Sequence, residues 1–271
     1  MDLRLYDAHN HLQDQRLAPC REAILRALQR ESVMRMVVNG SCEADWPEVL
    51  ELARRCPQVL PSFGCHPWYV KERSADWQAA LLRHLDAVPS AIGEVGLDRW
   101  IKDHDIVAQE EVFMWQLRLA AERNLPVSIH CLRASGRLLE ILRAGPRRRC
   151  GFLLHSFGGP REMVGPLAEL GAYFSLPGYY AHERKVQQRE TFRHVPPDRL
   201  LIETDAPDQL LPAERVQYPL TDAASGQAIN HPANLGAIYR FAAELLGEPL
   251  DRLAERVGEN FRRLFGALSR E

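Results

Sequence analysis

Short apolar runs of strand length alternate with segments of helical period along this chain, and the alternation continues until eight strands are counted. The runs are Leu3 to His11, Val33–Val38 (closed by Asn39-Gly40), Val59–Phe63, Ala91–Asp98, Pro126–His130, Gly151–His155, Ala172–Leu176 and Arg199–Thr204. Between them apolar residues recur three and four apart: Ile24, Leu25 and Leu28 within 19–31; Trp46, Val49, Leu50 and Ala53; Trp77, Leu81 and Leu85; Leu138, Leu139 and Leu142; Leu167 and Leu170. Segment 107–123 shows the period over the greatest length. Val112, Phe113, Trp115, Leu119 and Ala120 make its apolar face, Glu110, Glu111, Arg118 and Glu122 its wet one, and Asn124 and Pro126 stop it. Strand and helix in strict alternation, joined by short connections, predict a (β/α)8 TIM barrel in the α/β class.

No linker or repeat of solenoid length divides the 271 residues, so they are read as one domain over 1–271. The stretch from about Ala206 to His231 lacks periodicity and is long for a structureless loop, which marks it as a flap over a site. Two helices close the chain. Leu235, Ile238, Tyr239, Ala242 and Leu246 form the first, ended by Gly247; Pro249 starts the second, with Leu250, Leu253, Val257 and Phe261.

A net charge of −2 gives no global basic field for long nucleic acid, although a local patch remains open. Six scattered cysteines without a C-x-x-C pair read as reduced thiols in a cytoplasmic protein. The amino terminus carries Asp2 and Arg4 without an apolar core, so no signal peptide is expected, and no apolar run is long enough to span a membrane.

In such a barrel the carboxyl ends of the strands share one mouth, where catalytic groups are found. His9 and His11 lie two apart on the first strand and would face the same way. Glu94 ends strand four, His130 strand five, His155 strand six and Asp205 strand eight. Each alone could be a hydrogen-bonded or capping residue. Together, four imidazoles and two carboxylates suit two divalent cations, of which Mg²⁺, Mn²⁺ and Zn²⁺ are candidates. Glu94, from the middle strand of the set, is assigned the bridge: His9, His11, Glu94 and Asp205 for one ion, Glu94, His130 and His155 for the other. A cation pair lowers the pKa of bound water and clamps the attacking and leaving oxygens of a hydrolysis, and Asp205 can take the water's proton. Asp205 and Glu94 are thus the candidate catalytic residues.

Asp7-Ala8-His9-Asn10-His11, Gly64-Cys65-His66-Pro67, Ile92-Gly93-Glu94-Val95-Gly96-Leu97-Asp98, Ser128-Ile129-His130, Leu154-His155-Ser156-Phe157-Gly158-Gly159 and Ile202-Glu203-Thr204-Asp205-Ala206-Pro207 resemble the TatD-type deoxyribonucleases. So does the ending Glu259-Asn260-Phe261-Arg262-Arg263-Leu264-Phe265-Gly266, and the likeness runs from residue 3 to residue 266. It implies a metal-dependent hydrolase of the amidohydrolase superfamily, with DNA as substrate. It also implies substrate-facing roles for His66, near the phosphate, and for Asp98 and Glu203, which shape the site. Leu132-Arg133, Ser156 and Gly158 within His155-Ser156-Phe157-Gly158-Gly159, His231 within Asn230-His231-Pro232, and Arg99-Trp100 depart from the family's usual residues, at the rim rather than among the ligands.

Two further readings stay open: a related barrel hydrolase of lactones, amides or small phosphoesters, and a non-catalytic protein that keeps metals for stability. Many relatives of the first kind bridge their metals with a carboxylated lysine. None of the three lysines here (71, 102, 185) lies at a strand exit. Trp68, Tyr69, Tyr179 and Tyr180 fall in loops where they could stack on bases or pack. Arg147-Arg148-Arg149 precedes strand six, at the opposite mouth, and reads as a solvated loop. His84, His104, His182 and His194 read as surface or helix histidines, and Cys131 as packing.

Overall fold

A strand buried on both faces needs strand neighbours on both sides and a layer above and below it. The computed structural model, which describes residues 3–147 and 149–268, meets that need with a ring. Its strands are β1 (Leu5–Asn10), β2 (Val33–Gly40), β3 (Val59–Phe63), β4 (Ala91–Asp98), β5 (Val127–Leu132), β6 (Phe152–Leu154), β7 (Ala172–Pro177) and β8 (Leu200–Glu203). They pair in parallel in the order of the sequence. Six of the eight are buried at every residue. The seam between β8 and β1 closes through the backbone, where Asp205 N–H donates to His9 C=O (2.9 Å) and His11 N–H to Ala206 C=O (2.8 Å). This is the (β/α)8 TIM barrel expected from the alternation.

Helices α1 (Arg21–Arg30), α2 (Trp46–Arg55), α3 (Trp77–Ala87), α4 (Ile106–Arg123), α5 (Ser135–Ala144), α6 (Val164–Glu169) and α7 (Val186–Phe192) fill the crossovers, and α8 (Leu235–Leu246) and α9 (Leu250–Phe265) follow the last strand. Local chemistry sets the ends of α4. Asp105 accepts the Ala108 N–H at its start, and Asn124 adopts a left-handed φ of 52° at its finish. Gly247, φ 67°, ends α8 in the same way.

Three differences from the sequence reading have physical causes. Helix α7 escapes notice because, over seven residues, it buries only Thr191 and Phe192, too few to repeat a period. Strand β6 starts one residue later than expected, since Gly151 has φ 86° and cannot pair as extended backbone. The stretch 206–231 is not wholly irregular: β9 (Pro219–Thr221) and β10 (Ala228–Asn230) form an antiparallel ribbon whose turn is held by the Asp222 carboxylate. Among the described residues no helix is long and apolar enough to cross a membrane. Arg147 and Arg149 are exposed before β6, while Arg148 lies outside the described residues.

Candidate metal centre and active-site cavity

Asp7 organises the seam from which three of the expected ligands project. It is fully buried, and its carboxylate accepts the Thr204 N–H (3.0 Å), the Thr204 hydroxyl (2.6 Å), the Asn10 amide (3.0 Å) and the His9 N–H (3.2 Å). Burial pushes the Asp7 carboxyl up to about 6 against the pull of those bonds. Immediately beyond, Asp205 takes φ 51°, a left-handed conformation costing roughly 1–2 kcal/mol for a residue with a Cβ. The bond to His9 C=O holds it there, and Gln209 Nε2 donates to its Oδ2 (2.8 Å), leaving Oδ1 for the centre.

Glu94 stands across from this seam. Its Oε2 faces His9 Nε2 (3.4 Å) and His11 Nε2 (3.2 Å), while its Oε1 faces His155 Nε2 (2.7 Å), His130 Nδ1 (3.1 Å) and His66 Nε2 (3.2 Å). Asp205 Oδ1 lies 3.5 Å from His9 Nε2 and 3.6 Å from His11 Nε2. All six expected ligand residues therefore meet at one centre. Close packing of β4 on β5 is part of the reason. Gly96, φ 145°, pairs with His130, and a Cβ there would come within 1.9 Å of the His130 carbonyl oxygen.

Which ring nitrogen faces the centre follows from what the other one touches. His11 Nδ1 lies 2.8 Å from Asn39 C=O, an acceptor, so in the neutral ring Nδ1 carries the proton and the lone pair is at Nε2, facing inward. His130 Nε2 lies 2.9 Å from Asp98 Oδ2, so in the neutral ring Nε2 carries the proton and Nδ1, facing inward, has the lone pair. His9 Nδ1 is held by the Ser128 hydroxyl at 2.9 Å, and its ring stacks on His155 at 4.0 Å. His66 is different: its Nδ1 accepts the Trp68 N–H (3.1 Å), so neutral His66 presents an N–H at Nε2. Burial pushes His66 down to about 4, which keeps it neutral. Although His66 falls with Glu94 and His130 in one candidate ligand group, this tautomer makes it a donor.

The centre draws positive charge. Burial would raise the Glu94 carboxyl, but the His155, His66 and His9 rings and the His11 bond hold it well below its ordinary value. Asp205 is held at about 2 in the same way, burial being outweighed by the His11 bond and the His155 and His9 rings. Burial alone would lower His11 and His130, yet the facing carboxylates hold His11 well above its ordinary value and His130 at about 9. Ring nitrogens of His9 and His11 converge at 3.2 Å, as do those of His130 and His155. The buried His155 Nδ1 has no hydrogen-bond partner and lies 3.9 Å from Glu203. Donors of this kind, turned toward one another and toward ionised carboxylates, fit divalent cations.

Asp98 and Glu203 do not take the substrate-facing position expected of them. Both are 0% exposed and sit behind the expected ligands, out of contact with the cavity. Asp98 bonds His130 and the Trp68 indole (2.7 Å), and those partners hold its carboxyl, which burial would raise, at about 2. Glu203 accepts the Ser156 N–H (2.8 Å) and the hydroxyls of Ser156 and Ser175, while burial and the Asp205 charge push its carboxyl well above the ordinary range. His66, by contrast, lines a cavity of about 930 Å³ over the centre, with His11, Glu94, His130, His155 and Asp205.

Sequence reasoning missed Asp7, Thr204 and Gln209, whose partners lie up to 197 positions away in the chain. The signal for Asp7 was present: a carboxylate inside a strand otherwise fit for burial. Of the loop aromatics, Tyr180 is packing, its hydroxyl bonded to Ser156 C=O (2.6 Å), and Tyr179 lies under Lys185 Nζ at 4.6 Å. His231 caps the turn at 232–234 through Nδ1, which accepts the Ala233 N–H at 3.0 Å. Burial pushes the Cys131 thiol up to about 11, so it offers no thiolate at neutral pH.

Residues 6–266 match the family model described as TatD related DNase. The 3'-5' ssDNA/RNA exonuclease TatD of Erwinia tasmaniensis is 35% identical over 266 residues, covering 96% of this chain and 99% of that one. A solved TatD homologue from Escherichia coli K12 has the same fold with a TM-score of 0.88 and 26% identity, covering 98% of this chain and 99% of that one. A TatD family hydrolase structure from Entamoeba histolytica has a TM-score of 0.86 at 18% identity, again over 98% and 99% of the two chains, a likeness of fold alone.

Proposed function

This chain belongs to the TatD-related DNase family, and on that footing we propose that it cleaves phosphodiester bonds of single-stranded DNA or RNA by metal-dependent hydrolysis. The observation that carries this reading is the division of Glu94 between two sets of donors. Oε2 faces the pair from β1, with Asp205 beside them, and Oε1 faces His130 and His155. His9, His11, Glu94 and Asp205 would hold one divalent cation and Glu94, His130 and His155 a second, with Mg²⁺, Mn²⁺ and Zn²⁺ as candidates. Bound there, such a pair supplies Lewis acidity and an acidified water.

The chain's own groups do the rest. Asp205, kept ionised, accepts at Oδ1 the proton of the attacking water, and Gln209 keeps that oxygen turned inward. Neutral His66 donates Nε2–H to a phosphate oxygen. Asp98 and Glu203 act behind the ligands, Asp98 by orienting His130 and Glu203 by holding Ser156, the neighbour of His155. Domain 1–271 acts as one unit, since the site draws on strands from β1 to β8. Its free cysteines, two of them buried thiols, favour a cytoplasmic place of action. None of the three lysines lies at a strand end, where a lactone or amide hydrolase of the superfamily would carry its bridge. Lys185, eight residues beyond β7, sits over Tyr179 instead.

A panel of Mg²⁺, Mn²⁺ and Zn²⁺ against end-labelled single-stranded DNA, single-stranded RNA and a lactone tests the proposal. Strand cleavage that stops on chelation and returns with metal is the expected result. Turnover of the lactone alone would overturn it.

A further inference from the structure

The reaction above leaves one part of the rim without a use. Among the described residues, three of the large apolar side chains with high exposure line the cavity: Trp68 at 47%, Trp100 at 58% and Leu132 at 39%. They leave the barrel at the ends of β3, β4 and β5, three neighbouring strands, and so form one stretch of wall. Exposed apolar surface gathered on a concave face, rather than scattered, marks a binding surface.

This wall is built onto the centre. His130 and Leu132 are two apart on β5 and project to the same side. His66 meets the Trp68 ring edge-on at 5.3 Å. The Trp68 indole N–H bonds Asp98 Oδ2 at 2.7 Å, the oxygen that also takes His130 Nε2, and the Trp100 N–H bonds Asp98 Oδ1 at 2.6 Å. One buried carboxylate thus fixes both a ligand and the aromatic wall beside it. Trp100, 58% exposed, has no aromatic ring contact among the described residues. Across the mouth Arg16 is bound by Asp14 and Asp208, and Tyr179 and Tyr180 also line the cavity. Arg133 and Lys185 line the same cavity and complement an anionic backbone.

We propose that Trp68, Trp100 and Leu132 are a stacking wall for the nucleobase next to the scissile phosphate, so that the site selects strands whose bases are unpaired and free to leave their neighbours. The proposal rests on the phosphodiesterase reading. A base–aromatic stack is worth enough to change affinity by about ten-fold. Wild type should therefore show a KM about ten-fold lower for a single strand with its terminal bases than for the same strand made abasic at its last two positions.

Trp100→Ala should bring that ratio close to one, and Trp100→Phe, which keeps a flat ring, should restore most of it. Val107→Ala is the control, since Val107 is exposed and outside the cavity. Intrinsic tryptophan fluorescence, titrated with a phosphorothioate single strand, should be quenched in wild type and Val107→Ala and much less in Trp100→Ala. An equal KM ratio in wild type and Trp100→Ala, or a quench indifferent to Trp100, overturns the wall while cleavage itself stands. Quenching that needs Trp100, in a protein that cleaves no strand, upholds the wall and overturns the hydrolysis. Absence of both overturns both.

Discussion

Thr204 and Asp7 are joined twice across the barrel seam, through the Thr204 N–H at 3.0 Å and its hydroxyl at 2.6 Å. Asp7 is two residues before His9, and Thr204 is next to Asp205. The pair therefore sets the spacing between the β1 imidazoles and the β8 carboxylate. Thr204→Val keeps the shape and removes the hydroxyl from a buried carboxylate, which should cost about 1–3 kcal/mol of stability. Supporting bonds of this kind typically bear on metal affinity by about 10–100-fold. Denaturant unfolding and isothermal titration with Zn²⁺ on the same variant should show both losses. Unchanged metal affinity would limit Thr204 to folding.

The metal itself should report on folding. A cation bound by the native centre and not by the unfolded chain stabilises it by about 2.7 kcal/mol at a hundred times its Kd. The melting temperature should thus rise with added Mn²⁺ or Zn²⁺ and fall after chelation. In Glu94→Gln, where the residue facing both donor sets loses its charge, the response should shrink sharply. A full response in that variant would remove Glu94 from the bridge.

Asp205→Asn should lower kcat by about 10²–10⁴-fold, the range for a lost proton acceptor, with the far-ultraviolet circular dichroism spectrum kept. Gln209→Ala, which frees the Asp205 carboxylate to turn, should lower it less, since Gln209 Nε2 acts at Oδ2 and not at the centre. Equal losses in the two variants would contradict that order.

The sequence exposed the strands and the candidate ligands for one reason and hid their supports for another. Period and strand-end position are local, so the eight strands and the six residues at their exits could be found from spacing alone. Tautomers, seams and supports are not local. That His66 offers an N–H depends on the neighbouring Trp68 backbone, and that Asp98 lies behind His130 depends on strand register. Helix α7 was too short for its period to show, and the ribbon of β9 and β10 buries little except Ile229, Asn230 and the turn residue Asp222. Gln109 and Gln116 give the same lesson: both lie buried on α4, bonded to the backbone of Asp98 and Cys65, contacts that a helical period does not show.

His66 should behave as a donor and not as a ligand. His66→Gln, which can still present an N–H, should keep more activity than His66→Ala. Metal content by elemental analysis should be the same in both as in wild type. A loss of bound metal in either variant would make His66 a ligand and reverse the tautomer drawn from the Trp68 N–H.

His231 gives a prediction in pH. Burial lowers it from 6.5 to about 4, and in the native protein its Nδ1 accepts the Ala233 N–H, a bond that protonation destroys. A histidine depressed on folding contributes stability that is fully present above its unfolded value of about 6.5 and is lost as pH falls through about 4. Between those limits the unfolded chain takes up the proton first and unfolding gains. The urea midpoint of the wild type should therefore lose ground to that of a variant without this histidine between pH 7 and pH 4.5. Buried His9 and His66, lowered to about 4, act in the same direction, while Asp7, raised to about 6, and Glu203, raised well above its ordinary value, oppose it in both proteins alike. His231→Asn can still cap the turn through its side-chain oxygen but has no proton to gain, so its midpoint should gain on that of the wild type over the same range. Parallel curves for the two proteins would mean that the turn at 232–234 does not feel the charge on residue 231.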